Sequence, residues 1–368
     1  LLYNENIMKE KAQVFDRRNF YKDDDSGKVF LITVLAQFIM SFLLSLIVQG
    51  ISSGLEIKSD VITSSVWYSL ASAILIAAIY TCIFFFYNSS FKISNKAIKL
   101  NFNLKWHTAI ICVLIGVVSL FGIQYFIGAV DDFWAHIGLK FSSSSLNPTS
   151  WGTYFISLFA LVVVPAIGEE VLFRGMILNG LRFRFKDSIA VVLSALLFAL
   201  MHGSLQQFVY PFLLGLIMGY LVLKTKTLLS SMIVHFVNNF LVITLQFIDN
   251  MTGFSFSIPH TWWFYLVAIA LLAVTVLIMF LLDKFYFSKV VCLKEKTASA
   301  LSENEKQQGQ TDETKVLMKN EKGQNNVTNI NSQSQEDVLL AGTKTSIYVY
   351  IAFGVGALLV IMSILLNL

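Results

Sequence analysis

Long uncharged apolar runs alternate with short polar segments along most of the chain, and each run reads as one helix. The runs extend over Val29 to Ser53, Val61 to Tyr87, His107 to Val130, Trp151 to about Gly180, Ser188 to about Met201, Gln207 to Leu223, Thr227 to Ile248, Thr261 to Leu282 and Ser346 to Leu368. Most are long enough, at about 1.5 Å per residue, to cross a hydrocarbon layer of roughly 30 Å. The pattern predicts an all-α, polytopic transmembrane helical bundle of about eight core helices with one additional C-terminal helix. The fourth run stands apart, because its second half carries Glu169, Glu170 and Arg174 where lipid-facing residues are expected.

Composition supports this reading. Only 14% of the 368 residues are charged and 56% are hydrophobic, whereas a soluble domain carries about 25% charged residues. A water-soluble globule is therefore excluded. The net charge of +4 is read as a topology signal rather than as nucleic-acid affinity, because Lys and Arg collect in cytoplasmic loops of membrane proteins. Counted between successive runs, Lys and Arg number 6 before the first, then 1, 4, 1, 3, 0, 2, 0, and 9 before the last. This alternation predicts a cytoplasmic N-terminus and an external C-terminus in a multi-pass protein; a bacterial plasma membrane is the expected location. Trp106, Trp134, Trp151, Trp262 and Trp263 fall at expected helix ends, where amphipathic rings favour the headgroup level.

The segments follow from these runs. Residues 1–28 form a cytoplasmic N-terminal stretch without the apolar core and small-residue cleavage site of a signal peptide. Residues 29–150 hold the first three helices, 151–248 helices four to seven with Glu169, His202 and His235, and 261–286 the eighth helix. Residues 294–345 are rich in Lys, Glu, Gln, Asn, Ser and Thr. They lack the apolar surface to offset ordering entropy, which predicts a disordered cytoplasmic linker. Residues 346–368 are the ninth helix. Cys82, Cys112 and Cys292 are too far apart in sequence to suggest a disulfide framework or a CxxC metal site.

Ionisable groups at membrane depth cost roughly 2.5–3.5 kcal/mol each and usually mark a pathway or a reaction site. Glu170 and Arg174 are four apart, a spacing suited to an intrahelical ion pair. Glu169 points about 100° away from that pair, which leaves it free to act as a base. The fifth run, Ser188 to His202, rises only about 21 Å, so His202 and the polar turn after it begin inside the protein. Phe198, one turn earlier, shares the face of His202. His235 and Asn239 are likewise i and i+4 and project from one face of the seventh run, with Asn238 the less favoured alternative. Pro165 frees the carbonyl of Leu161 and is expected to bend the fourth helix next to the site.

A carboxylate and an imidazole together can hold and deprotonate one water, while nearby donors stabilise the oxyanion formed when that water attacks an amide. No GxSxG elbow is present and neither histidine has an obvious Asp partner, which argues against a serine mechanism. Glu169, His202 and His235 also suit a zinc ion with one open position for water. The cofactor is thus either none or one divalent metal.

The three blocks Glu169-Glu170-x-x-x-Arg174, Phe198-x-x-x-His202 and His235-x-x-x-Asn239, in this order on membrane helices, resemble the CPBP family of intramembrane proteases. That family includes type II CAAX prenyl endopeptidases and Abi or bacteriocin-immunity-type proteins. The resemblance implies a helical bundle with a cytoplasm-facing cavity and, in eukaryotic members, removal of a C-terminal tripeptide from prenylated CAAX proteins. It further implies that Glu169 and His202 activate water, that His235 and Asn239 stabilise the oxyanion, and that Glu170 with Arg174 is a supporting ion pair. The expected function is an intramembrane endopeptidase, glutamate- or metal-dependent, acting on a membrane-associated or lipid-modified peptide or protein within the bilayer. Two alternatives remain at this point, a non-catalytic bacteriocin-immunity or scaffold protein and a proton-coupled transporter.

Overall fold

The computed structural model describes residues 20–98, 104–138, 148–254, 262–287 and 346–365. Leu1–Thr275 together with Thr345–Leu368 form one compact unit, and Val276–Lys344 a second. The expected linker, 294–345, lies outside the described residues. Among the described residues the secondary structure is helical, with no strand. The principal helices are α1 (Asp23–Leu55), α2 (Val66–Ser90), α3 (Trp106–His136), α4 (Trp151–Arg184), α5 (Asp187–Met201), α6 (Val209–Thr225), α7 (Leu229–Thr252), α8 (Trp262–Leu281) and α9 (Ile347–Leu365). Seven of the described helices are long and apolar enough to cross a membrane, and α5 and α6 are shorter.

Most boundaries lie within a few residues of the apolar runs, and the second run is divided in two. Residues Ser59–Thr63 form a separate short helix, and α2 starts only at Val66 because the Ser65 hydroxyl caps it by accepting the Tyr68 N–H. Trp67 is consequently another exposed aromatic at a helix start. Ser150 and Thr153 form a reciprocal cap at the start of α4. Gly253, at φ 68°, ends α7 in the left-handed region, where a glycine avoids a Cβ penalty.

Contacts within the first unit show successive helices running up and down. The start of α1 meets the end of α2 through Tyr87 OH donating to Asp25 at 2.7 Å. Ser26 Oγ donates to the carbonyl of Ile177 near the end of α4, at 2.8 Å. At the opposite end the start of α4 stacks on the end of α7, with the Tyr154 and Phe247 rings 4.5 Å apart, and Tyr265 at the start of α8 donates to Asp132 at the end of α3.

Close helix approach depends on small residues, which let backbones near one another in lipid. Gly215 of α6 faces Ala195 of α5, and Gly219 faces Val191 one turn on. The ninth helix is additional in sequence yet belongs to the same compact unit as α1 to α7. It runs alongside α1 from a common end, where Ser346 donates from its N–H to Asp23 and from its hydroxyl to Asp24. Gly27 lies so close to Tyr348 that a Cβ there would meet its backbone at 2.4 Å.

Candidate active site

The backbone of α4 is irregular where the site lies. It passes through π-helical turns at Phe159–Val163 and Val171–Ile177, which flank the segment Val164–Glu170. Pro165 has no N–H to offer the carbonyl of Leu161, and Asn239 Nδ2 of α7 donates to that carbonyl at 2.8 Å. The local disturbance expected from Pro165 is thus a π-helical turn with a side chain filling the vacated bond.

The two adjacent carboxylates have different surroundings. Glu170 is fully buried. Its Oε1 accepts from Arg174 Nη1 at 2.8 Å and from His235 Nδ1 at 3.0 Å. Arg174 is also buried, reaches the Gly215 carbonyl at 3.4 Å and stacks over the Phe198 ring at 4.4 Å. Glu169 keeps 12% side-chain exposure, and its polar contacts are longer: Tyr80 OH donates to Oε1 at 3.4 Å, and His235 Nε2 stands 3.9 Å from Oε2. The latter separation exceeds a direct hydrogen bond. One acid is neutralised within the protein, and the other retains room to act.

The hydrogen bonds also fix the imidazoles. A carboxylate and a carbonyl only accept, so His235 donates through Nδ1 to Glu170, and His202 donates through Nδ1 to the Phe198 carbonyl at 2.9 Å. In each neutral ring the free lone pair is then on Nε2. The Phe198 ring contacts both imidazoles, edge to face with His202 at 5.2 Å and with His235 at 6.0 Å between centroids.

Glu169, Glu170, Arg174 and His235 are therefore brought together directly, and His202 joins them through Phe198. Asn239 is tied to the Leu161 carbonyl. Asn238 is fully buried and structural, donating to the carbonyls of Gly116 and Val234 and accepting from Tyr210. The zinc ligand set of Glu169, His202 and His235 is not assembled. Among the described residues no group of three or more His, Cys, Asp or Glu stands where it could hold a metal ion.

Two residues at the site carry no motif. Tyr80 of α2 contacts Glu169, and Gln37 Nε2 of α1 donates to Tyr80 OH at 2.9 Å. Nothing in the sequence marks them, because both runs carry several other polar residues, such as Gln49 and Thr81. Tyr80 and Gly168 also line an apolar cavity of about 670 Å³ between α2 and α4, walled by Phe84, Phe85, Phe159 and Ile167.

Residues 151–241 match the family model described as type II CAAX prenyl endopeptidase Rce1-like. This segment of the chain is similar to that protease family. The match spans roughly a quarter of the 368 residues and takes in α4, α5, α6 and the half of α7 that bears His235 and Asn239. No curated protein and no solved structure matches the chain. Tyr80, Gln37 and α9 lie outside the Rce1-like segment.

Proposed function

We propose that the protein is an intramembrane endopeptidase that hydrolyses a peptide bond of a membrane-associated or lipid-modified, CAAX-like substrate. The observation that carries this reading is the division of labour between Glu169 and Glu170. A fully buried pair of charges, Glu170 and Arg174, orients His235 through Nδ1. A second carboxylate beside it remains only loosely held. Such outer hydrogen bonding is how catalytic imidazoles are commonly held in one tautomer and direction.

In the proposed reaction Glu169 and His202 activate a water, which attacks the scissile carbonyl carbon. The proton removed from this water passes to the departing amine, so the products are a free amine and a carboxylic acid, which then releases the second proton of the water. His235 and Asn239 stabilise the oxyanion; for His235 to donate from Nε2 the ring must carry both protons. The 670 Å³ apolar cavity beside Gly168 offers room for hydrophobic substrate. The chain is placed with its N-terminus in the cytoplasm, which puts the start of α9 on the same side.

The test uses the full-length protein in nanodiscs with a farnesylated peptide ending in a CAAX-type tetrapeptide, and mass spectrometry of the products. Release of the C-terminal tripeptide by wild type, and its loss by at least about 10²-fold in Glu169→Gln, are expected. Equal cleavage by Glu169→Gln would refute the assigned role of that acid. The absence of cleavage of this probe and of any membrane protein of the host would remove the peptidase reading.

A further inference from the structure

We propose that Tyr80 is a positioning residue for Glu169, held in place by Gln37 and by the missing side chain of Gly168. The inference rests on the endopeptidase reading for its kinetic consequence, but its geometric content stands on its own.

Three independent features converge on the Tyr80 ring, which is 4% exposed in the middle of α2. First, its hydroxyl points to Glu169 Oε1 at 3.4 Å. That is longer than the usual O–H···O range, and hydrogen bonds of catalytic groups often tighten only when substrate is bound. Second, Gln37 Nε2 donates to the same oxygen at 2.9 Å. A phenolic oxygen that accepts from Gln37 has its own proton left to donate, so the chain Gln37 to Tyr80 to Glu169 has one direction. Third, the ring lies against the backbone of Gly168, next to the acid itself, where a Cβ would stand 2.3 Å from Tyr80 Cδ2. Only glycine admits the ring at this depth.

The placement gives Tyr80 two faces. Its hydroxyl meets the carboxylate, and its ring is part of the wall of the apolar cavity between α2 and α4. An apolar chain entering the cavity presses on the same ring that steers the acid. Among the described residues the other close polar atom beside the Glu169 carboxylate is the distant Nε2 of His235, so the phenol supplies a hydrogen bond that α4 does not. A carboxylate swinging freely would leave the water without a fixed partner, and misplacement of a catalytic group by about 1 Å costs on the order of 10²-fold.

The experiment compares wild type with Tyr80→Phe, Gln37→Leu and the double variant, all full length in nanodiscs. Two readouts are taken. In the first, dicyclohexylcarbodiimide labels carboxyl groups and peptide mass spectrometry follows Glu169, with Glu169→Gln identifying the signal. Tyr80→Phe keeps the ring but frees Oε1, and Glu169 labelling is expected to accelerate about tenfold, with a smaller acceleration in Gln37→Leu. In the second, the farnesylated peptide is used to separate kcat from KM. Tyr80→Phe is expected to lower kcat about tenfold at nearly constant KM, and the double variant to be no slower than Tyr80→Phe alone, as members of one relay are not additive. Unchanged labelling, a change confined to KM, or multiplying losses in the double variant would overturn the positioning role. If wild type fails to cut the peptide while labelling responds as stated, the positioning inference holds and the endopeptidase reading falls.

Discussion

Asn239 donates its side-chain amide to the Leu161 carbonyl at 2.8 Å, the carbonyl that Pro165 leaves without its helical partner. A candidate catalytic amide is therefore also the clamp on an irregular helix. Its two N–H groups allow both tasks, one bound to Leu161 and one left for the reacting carbonyl.

These two tasks are separable. Asn239→Ala leaves a part-buried carbonyl without this donor, which costs about 1 kcal/mol and is expected to lower the melting temperature in detergent. Pro165→Ala introduces a backbone N–H for Leu161 and is expected to restore stability in the double variant. Peptide cleavage should not return with it. Recovery of both would assign Asn239 to architecture alone.

Glu170 and Arg174 are both fully buried, so removing one leaves the other as an uncompensated charge. Glu170→Gln is expected to destabilise by about 3–5 kcal/mol, whereas the double variant Glu170→Leu with Arg174→Met is expected to be much milder, because both desolvation penalties vanish together. That double variant should still be inactive, since His235 Nδ1 loses its acceptor. Thermal unfolding and product analysis on the same samples separate the two effects.

The motif-bearing part of the site was legible in sequence because helix periodicity alone predicts which groups share a face. The spacing of Glu170 and Arg174 foretold their ion pair, and that of Phe198 and His202 their ring contact. What the sequence did not show is contact between helices. Nothing in the i, i+4 rule says that His235 bonds Glu170, that Asn239 reaches α4, or that Tyr80 crosses from α2 to Glu169. The π-helical turns were hidden for a related reason. They rearrange bonds around Pro165 and Glu170 that a straight helix of 3.6 residues per turn does not anticipate.

Gly168 is a sensitive position for that reason. Gly168→Ala places a methyl group against Tyr80 and is expected to cost about 1–3 kcal/mol through overpacking, together with a drop in kcat as the phenol is pushed from Glu169. Combined with Tyr80→Ala, whose cavity has its own cost, the Gly168→Ala loss should shrink because the clash is gone, and the rate should not return. A Gly168→Ala loss of the same size in both backgrounds would mean the clash lies elsewhere.

The ninth helix gives a prediction about access to the site. Along α9, Gly356 meets Leu200 of α5 so closely that a Cβ would lie 2.6 Å from the Leu200 Cβ, and the Leu359 side chain reaches Gly203, the residue after His202. Backbone, rather than a flexible side-chain end, opposes Gly27 at the other contact, with α1. Gly27→Val therefore cannot be absorbed by a rotamer change and is expected to separate α9 from α1, while the core pairs Glu170 with Arg174 and His235 stay in place. Hydrogen exchange should then rise several-fold in α9 and in the turn after α5, with α4 and α7 little changed, because local opening draws on the contacts of the displaced element. If α9 only covers the His202 side of the bundle, peptide cleavage survives and KM falls as access widens. If cleavage is lost while α4 and α7 remain protected, α9 holds His202 in its working position through Leu200 and Gly203.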